Sequence, residues 1–303
     1  QDIQSTHCHG DVLIWPLKAL CDYLEQTNDG DLLNSRVPYT DDETFTSTVS
    51  QESILHHVDR VIQKMVRDFV PGVSLPKFGD GDWDDSLQPA DARLRDGMVS
   101  AWTTELMYQT LRRYAVALAH FGHGERAARV DTLASRIADD FQTLLMPGGT
   151  VAGFAVFNDT AGTEYLLHPL DRRTGLRYRL LPMTRGIISN IFSPAQAERH
   201  LQLIREHLLY PDGARLMDRP TAYVGGRETV FRRAESAAFF GREIGLQYVH
   251  AHLRYAEAMA VLGRADDLLR ALLVVNPIAV TDVVPNARAR QRNCFFSSSD
   301  AAF

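Results

Sequence analysis

Three times along the chain, a long run of helical periodicity is cut by a short glycine-bearing turn and then resumes. The turns are Tyr23-Leu-Glu-Gln-Thr-Asn-Asp-Gly-Asp31, Ala119-His-Phe-Gly-His-Gly-Glu-Arg-Ala127 and Val261-Leu-Gly-Arg-Ala-Asp-Asp-Leu-Leu269. A glycine just past a helix accepts the left-handed backbone that ends it, and a short turn folds the next helix back antiparallel. One such hairpin cannot bury its own apolar stripe, so repeated hairpins stack side by side. A closed ring of them leaves a central funnel whose rim loops hold chemistry. The periodicity predicts the stacking; it does not contain the closure.

The apolar spacing places helices over Val12–Leu24 (with Pro16 in the first turn), Ser53–Val70, Gly97–Phe121, Glu125–Leu145, Glu235–Leu262 and Asp266–Val275. A further helix opens at Ser193 as N-cap before Pro194 and runs to about Leu209. The texture changes between Leu145 and Ser193. Val151–Phe157 and Leu176–Leu181 read as strands between Gly, Asp and Pro turns, so a β-containing insertion is expected around 147–190. Residues 32–52 read as a polar loop, and Pro211–Thr229 as a long loop of the kind that is often functional. The fold class is mainly all-α, and residues 1–303 are enough for one sizeable domain or two ordinary ones.

The loop Phe78-Gly-Asp-Gly-Asp-Trp-Asp-Asp-Ser-Leu-Gln-Pro89 carries the densest chemistry. Its glycines permit backbone angles that would let Asp80, Asp82, Asp84 and Asp85 converge on one point. Trp83 offers a flat apolar face and one N–H donor, a good partner for a sugar ring. Carboxylates beside such a platform suggest acid–base work on a glycosidic bond. A calcium loop also fits Asp80, Asp82 and Asp84, but Asp85 falls where an EF-hand needs glycine, and Pro71–Pro76 denies it an entering helix. A solvated acidic turn, or carboxylates capping a helix that begins near Leu94, are the other readings.

A second polar run, Arg242 to Glu257, lies on a helix. Its spacing puts His250, Arg254 and Glu257 on one face, with His252 pointing elsewhere. Either an anion site or a satisfied interior histidine is consistent with that stripe. Ser297-Ser-Ser-Asp300 reads as a helix start, again an anion site or a plain cap.

Other classes are disfavoured. A net charge of −6 argues against nucleic acid as the main partner, and no apolar run reaches the ~18–20 residues that cross a bilayer. Cys8, Cys21 and Cys294 are odd in number and widely spread, which suits a reducing, cytoplasmic setting. His7-Cys8-His9 has no companion cluster at metal spacing, so no metal is expected. No Gly-x-Ser-x-Gly, Walker A or dinucleotide fingerprint is present. With no initiator methionine and a helix start at its end, the chain reads as a piece of a longer protein.

Gly81-Asp-Trp-Asp-Asp85 resembles the Gly-Asp-Trp-Asn-Asp signature of the cellobiose phosphorylase family of inverting glycoside phosphorylases. Asp84 in place of Asn looks like the branch acting on β-1,2-linked oligoglucans. His9-Gly-Asp-Val-Leu-Ile-Trp-Pro16, Arg242–Ala251, Asn276-Pro277 and Phe296–Phe303 carry weaker likenesses to other family segments. The resemblance implies Asp85 as general acid, Asp11, Trp83, Asp82 and Glu243 against the sugar, and His250, Ser298 and Ser299 against phosphate. It implies phosphate as co-substrate with no other cofactor, α-glucose 1-phosphate as product, and allows a homodimer of the full-length protein. An arginine that many relatives carry shortly before the Asp11 segment is not in this chain. The implied fold is an (α/α)6 barrel behind an N-terminal β-sandwich, and this chain has too few helical runs to close the ring. A phosphorylase needs only an acid, because phosphate is already a nucleophile; Asp85 would then need a raised pKa, from burial or from Asp82 and Asp84. An inverting hydrolase on the same barrel and a non-catalytic carbohydrate-binding scaffold are the competing functions.

Overall fold

A computed structural model describes residues 9–41, 43–158, 162–222, 224–236, 248–276 and 278–285. Helix dominates, with small sheets between. The long helices are α1 (Ile14–Thr27), α2 (Ile54–Arg67), α4 (Ala101–His120), α5 (Gly124–Leu144), α6 (Leu180–Ile188), α7 (Pro194–His207), α9 (Val249–Val261) and α10 (Ala265–Val275). Three short ones, α3 (Ala92–Gly97), α8 (Arg232–Ser236) and α11 (Val280–Val283), fill connections.

Burial sorts the long helices into two sets. On α4, residues are buried all round, including Thr103, Thr104, Glu105 and Thr110, as befits a helix with neighbours on every side. On α2 only Leu55, Val58 and Met65 are buried, an amphipathic stripe with the rest in water. Each inner helix is followed by an outer one that packs back on it or on its neighbour: α5 on α4, α7 on α6, α10 on α9, and α2 reaching α5 through the Asp59–Arg126 pair.

The inner helices lie side by side in chain order and run parallel. Trp15 meets Trp102 at their N-terminal ends, with ring centroids 6.1 Å apart. Further along, Arg113 of α4 reaches Asp22 of α1 (2.7 Å), and His120 meets Asn28 at the far ends (2.7 Å). The same holds between α4 and α6, where Arg179 and Ser100 stand at the starts, and Gln109 reaches Arg185 and the Ile188 carbonyl further down.

Several helix boundaries follow the sequence signals. Ser193 caps α7, with Gln196 returning the bond in a capping box and Pro194 at the first position. Others do not. Leu176–Leu181 is not a strand: 176–178 is irregular, Arg179 makes one isolated bridge to Met217, and α6 begins at Leu180. The alternation of Arg and Leu mimicked a strand, whereas Leu180–Ile188 is a helix buried on all sides. The polar loop instead contains the hairpin β1 (Arg36–Thr40) and β2 (Ser47–Ser53). In the insertion, β4 (Phe154–Asn158) pairs antiparallel with β5 (Gly162–Leu166) and with β3 (Met98–Ser100), which leads into α4. A last pair, β6 (Leu209–Tyr210) and β7 (Gly213–Ala214), opens the long loop. Of the Glu235–Leu262 run, 237–247 lie outside the described residues.

Candidate active site

Four inner helices present one stripe each to a single cavity of about 510 Å³. The stripes are Trp15, Lys18 and Asp22 on α1; Trp102, Gln109 and Arg113 on α4; Leu181 and Arg185 on α6; and His250, Arg254 and Glu257 on α9. Their spacings are three, four or seven residues, as for side chains on one helical face. The first member of each stripe lies in its helix's first turn, so the N-terminal ends meet at one end of the cavity. That end is aromatic; the charged residues lie one to three turns further in.

The acidic loop supplies the twelfth lining residue, Trp83. Its ring contacts Trp102 (centroids 6.3 Å), Tyr248 (5.5 Å) and His250, the last edge to face at 4.5 Å and 89°. Two segments 167 positions apart in sequence (83 and 250) thus share one wall.

The loop's four aspartates do not converge. Asp82 and Asp84 share Arg179, while Asp80 and Asp85 turn to arginines of their own. Asp82 is fully buried, accepting hydrogen bonds from Ser100 Oγ (2.7 Å) and the Asp84 backbone N–H (2.9 Å), and pairing with Arg179 Nη2 at 3.4 Å. Asp84 also faces Arg179 Nη2 at 3.4 Å and caps the turn Asp85–Leu87 through the Ser86 N–H. Asp80 pairs with Arg95 at 2.7 Å. Asp85 points outward: its side chain is 56% exposed and pairs with Arg233 Nη1 at 3.3 Å. Two expectations are corrected here. Asp82 has no surface to offer a sugar; it holds the loop down. The burial invoked for Asp85 is absent, and Asp82 and Asp84 are occupied with Arg179.

Arg179 is the residue that the sequence reading missed. It is buried, stacked over Phe154 (4.9 Å from guanidinium carbon to ring centre), and its Nη1 donates to Ser100 Oγ at 3.4 Å. It anchors the loop from beneath, so that Trp83, between two inward aspartates, is turned to the cavity. Gly10 ties the loop from the other side: its N–H donates to the Phe78 and Gly81 carbonyls (3.0 Å each), and a Cβ there would strike the Lys77 carbonyl.

Asp11 is nearly buried and accepts the Trp15 indole N–H at 2.8 Å, one helical turn on. Burial pushes its carboxyl above the usual carboxylate range; the Trp15 bond opposes this and the Asp82 charge adds to it. Its visible task is to aim Trp15 at Trp102. His250 is held below the usual imidazole value by burial, then by the nearby charges of Arg254 and Arg185, so at neutral pH it is an uncharged donor and acceptor.

Glu105 was also missed. It sits between Trp102 and Gln109 on the α4 stripe, fully buried, with neither carboxylate oxygen hydrogen-bonded. Burial raises its pKa well above the ordinary value, against the pull of Arg185 and Arg179. The helical spacing of Trp102, Glu105, Gln109 and Arg113 on one face was the signal that could have found it. Glu243, Ser298 and Ser299 lie outside the described residues. Among the described residues, no group of three or more His, Cys, Asp or Glu is arranged to hold a metal ion, and no helix is long and apolar enough to cross a membrane.

Residues 2–293 match the glycosyl hydrolase 94 superfamily, catalytic domain. The chain is 45% identical over 302 residues to a 1,2-beta-oligoglucan phosphorylase of Listeria innocua, covering 99% of this chain and 27% of that protein. It is 27% identical to a 3-O-beta-D-glucopyranosyl-beta-D-glucuronide phosphorylase of Paenibacillus borealis (86% of this chain, 31% of that one). A cellobionic acid phosphorylase of Neurospora crassa matches at 27% identity (88% and 32%). The chain therefore spans about a third or less of the length of these curated relatives.

Proposed function

This chain belongs to the glycosyl hydrolase 94 superfamily, and from that premise we propose that it supplies the catalytic centre of an enzyme that phosphorolyses β-1,2-linked oligoglucans with inversion. One observation carries the reading. A tryptophan platform and a histidine from distant segments meet in one cavity, with two arginines beside the histidine. A sugar ring stacks on the first, and an oxyanion is held by the second.

In this reading the parallel inner helices are an arc of an (α/α)6 barrel, and the cavity is its funnel. The non-reducing glucose lies against Trp83. Inorganic phosphate, held near His250, attacks the anomeric carbon from the face opposite the glycosidic bond. The C1–O bond breaks as the C1–O–P bond forms, and Asp85 gives its proton to the departing hydroxyl, leaving α-glucose 1-phosphate. Asp85 leaves Arg233 for the glycosidic oxygen when the oligoglucan is bound. No base is required, because the nucleophile arrives as an anion. The substrate linkage rests on the 45% identity to the Listeria protein.

The test uses the full-length natural polypeptide. Sugar release from β-1,2-oligoglucans should depend on inorganic phosphate, and Asp85→Asn should lower turnover by about 10²–10⁴-fold, as loss of a general acid does. Equal release in phosphate-free buffer would replace phosphorolysis by hydrolysis and overturn the reading.

A further inference from the structure

Four cationic side chains line the cavity, and three of them are already engaged by carboxylates. Lys18 pairs with Asp22 at 2.8 Å, Arg113 with Asp22 at 2.7 Å and with Glu25, and Arg254 with Glu257 at 2.6 Å. Arg185 is different. Among the described residues no carboxylate lies within hydrogen-bonding reach of it. Its Nη1 donates to the neutral Gln109 amide oxygen at 2.9 Å, and its Nε is buried without a hydrogen-bond partner. The residue is 6% exposed, its guanidinium carbon 6.0 Å from the centre of the Trp102 ring.

A buried guanidinium without a counter-ion is unstable in proportion to its desolvation. Burial accordingly lowers the Arg185 pKa, which Glu257 and Glu105 partly restore from a distance. Such a group is stabilised by whatever small anion the cavity admits. Gln109 fixes one edge of the guanidinium plane, so the remaining donors are oriented before any ligand arrives. The neutral His250 imidazole stands close enough to feel the Arg185 charge and offers one more N–H. A planar carboxylate could use only one edge of the guanidinium. A tetrahedral oxyanion can take donors from Arg185 and His250 together, since its oxygens point in different directions.

We propose that Arg185 is the principal cationic ligand of the attacking phosphate, with Gln109 holding it in place and His250 sharing the anion. The assignment rests on the phosphorolytic reading above. Arg254, engaged with Glu257, has the lesser part.

In the full-length polypeptide, Arg185→Gln should raise the apparent KM for inorganic phosphate at least about tenfold, the loss of one charge-assisted contact. The KM for oligoglucan should stay within about twofold, and Arg185→Lys should recover part of the loss. Arg254→Gln should change the phosphate KM less than Arg185→Gln. An unchanged phosphate KM in a folded Arg185→Gln protein overturns the assignment, as does a rise confined to the sugar KM. A crystal structure of the unsubstituted protein with inorganic phosphate needs no variant to fold: an ion bonded to the Arg185 guanidinium is expected, and an ion on Arg254 alone refutes it. Sugar release that ignores phosphate in the unsubstituted protein would remove the functional reading itself, so the two failures are separable.

Discussion

Arg179 and Arg185 stand six positions apart (179 and 185), both nearly buried, one just before α6 and one within it. Arg179 faces Asp82, Asp84 and Ser100 and stacks on Phe154. Arg185 has a neutral amide and a tryptophan. The first is a clamp whose charge is met inside the fold; the second is a charge that the fold leaves for something else. The difference teaches where to look for function: in a buried cation that its own chain has not neutralised. His200 shows a third solution. It accepts the Val151 N–H at Nε2 (2.9 Å) and donates from Nδ1 to the Gln196 carbonyl (2.7 Å), a pattern only the neutral ring can make.

Removing the clamp should have the largest effect. Arg179→Met leaves two buried carboxylates uncompensated and should cost about 3–5 kcal/mol in urea unfolding, while Arg185→Met, which orphans no ionised partner, should cost clearly less. Equal losses would erase the distinction between the two arginines. His200 comes next. Burial pulls its pKa from 6.5 to about 4, so the unfolded chain binds its proton first as pH falls. Stability from this ring is fully present above about pH 6.5 and is lost as pH drops toward 4, up to about 3 kcal/mol in all. Unfolding measured at pH 7.5 and pH 4.5 in the natural sequence and in His200→Gln should give a shallower pH dependence for the variant. Glu105 acts with the opposite sign. Its folded pKa is raised, so its contribution is present below about 4.5 and falls as pH rises, by about 1.4 kcal/mol per pH unit between the two values. Glu105→Gln should thus gain in relative stability from pH 5 to pH 8; a constant difference would mean that the carboxyl is ionised beside Arg185 and that Arg185 is not awaiting an anion.

Much of this could be read from residue order. The hairpins α4–α5 and α9–α10 follow their glycine turns, and Gly122 and Gly263 are left-handed as such turns require. The α6–α7 hairpin was missed because Asn190, not glycine, takes the left-handed position and because the preceding run alternates like a strand. The His250, Arg254 and Glu257 stripe was legible from spacing alone, and so was Trp83 as the ring of the acidic loop. The fate of the four aspartates was not. Nothing local distinguishes Asp82 from Asp85; they differ only in which arginine, from 97 or 148 positions further on (179 and 233), comes to meet them.

Periodicity, turn chemistry and one short motif were enough to establish the α4–α5 and α9–α10 hairpins, the loop that carries Trp83 and the family to which it points, because those depend on neighbours within a few residues. Packing alone decided which carboxylates face inward, which base each one meets, and which guanidinium is left without a counter-charge. The reason is physical: pairing and desolvation depend on distances of a few ångströms between groups far apart in the chain, and no local pattern records those distances.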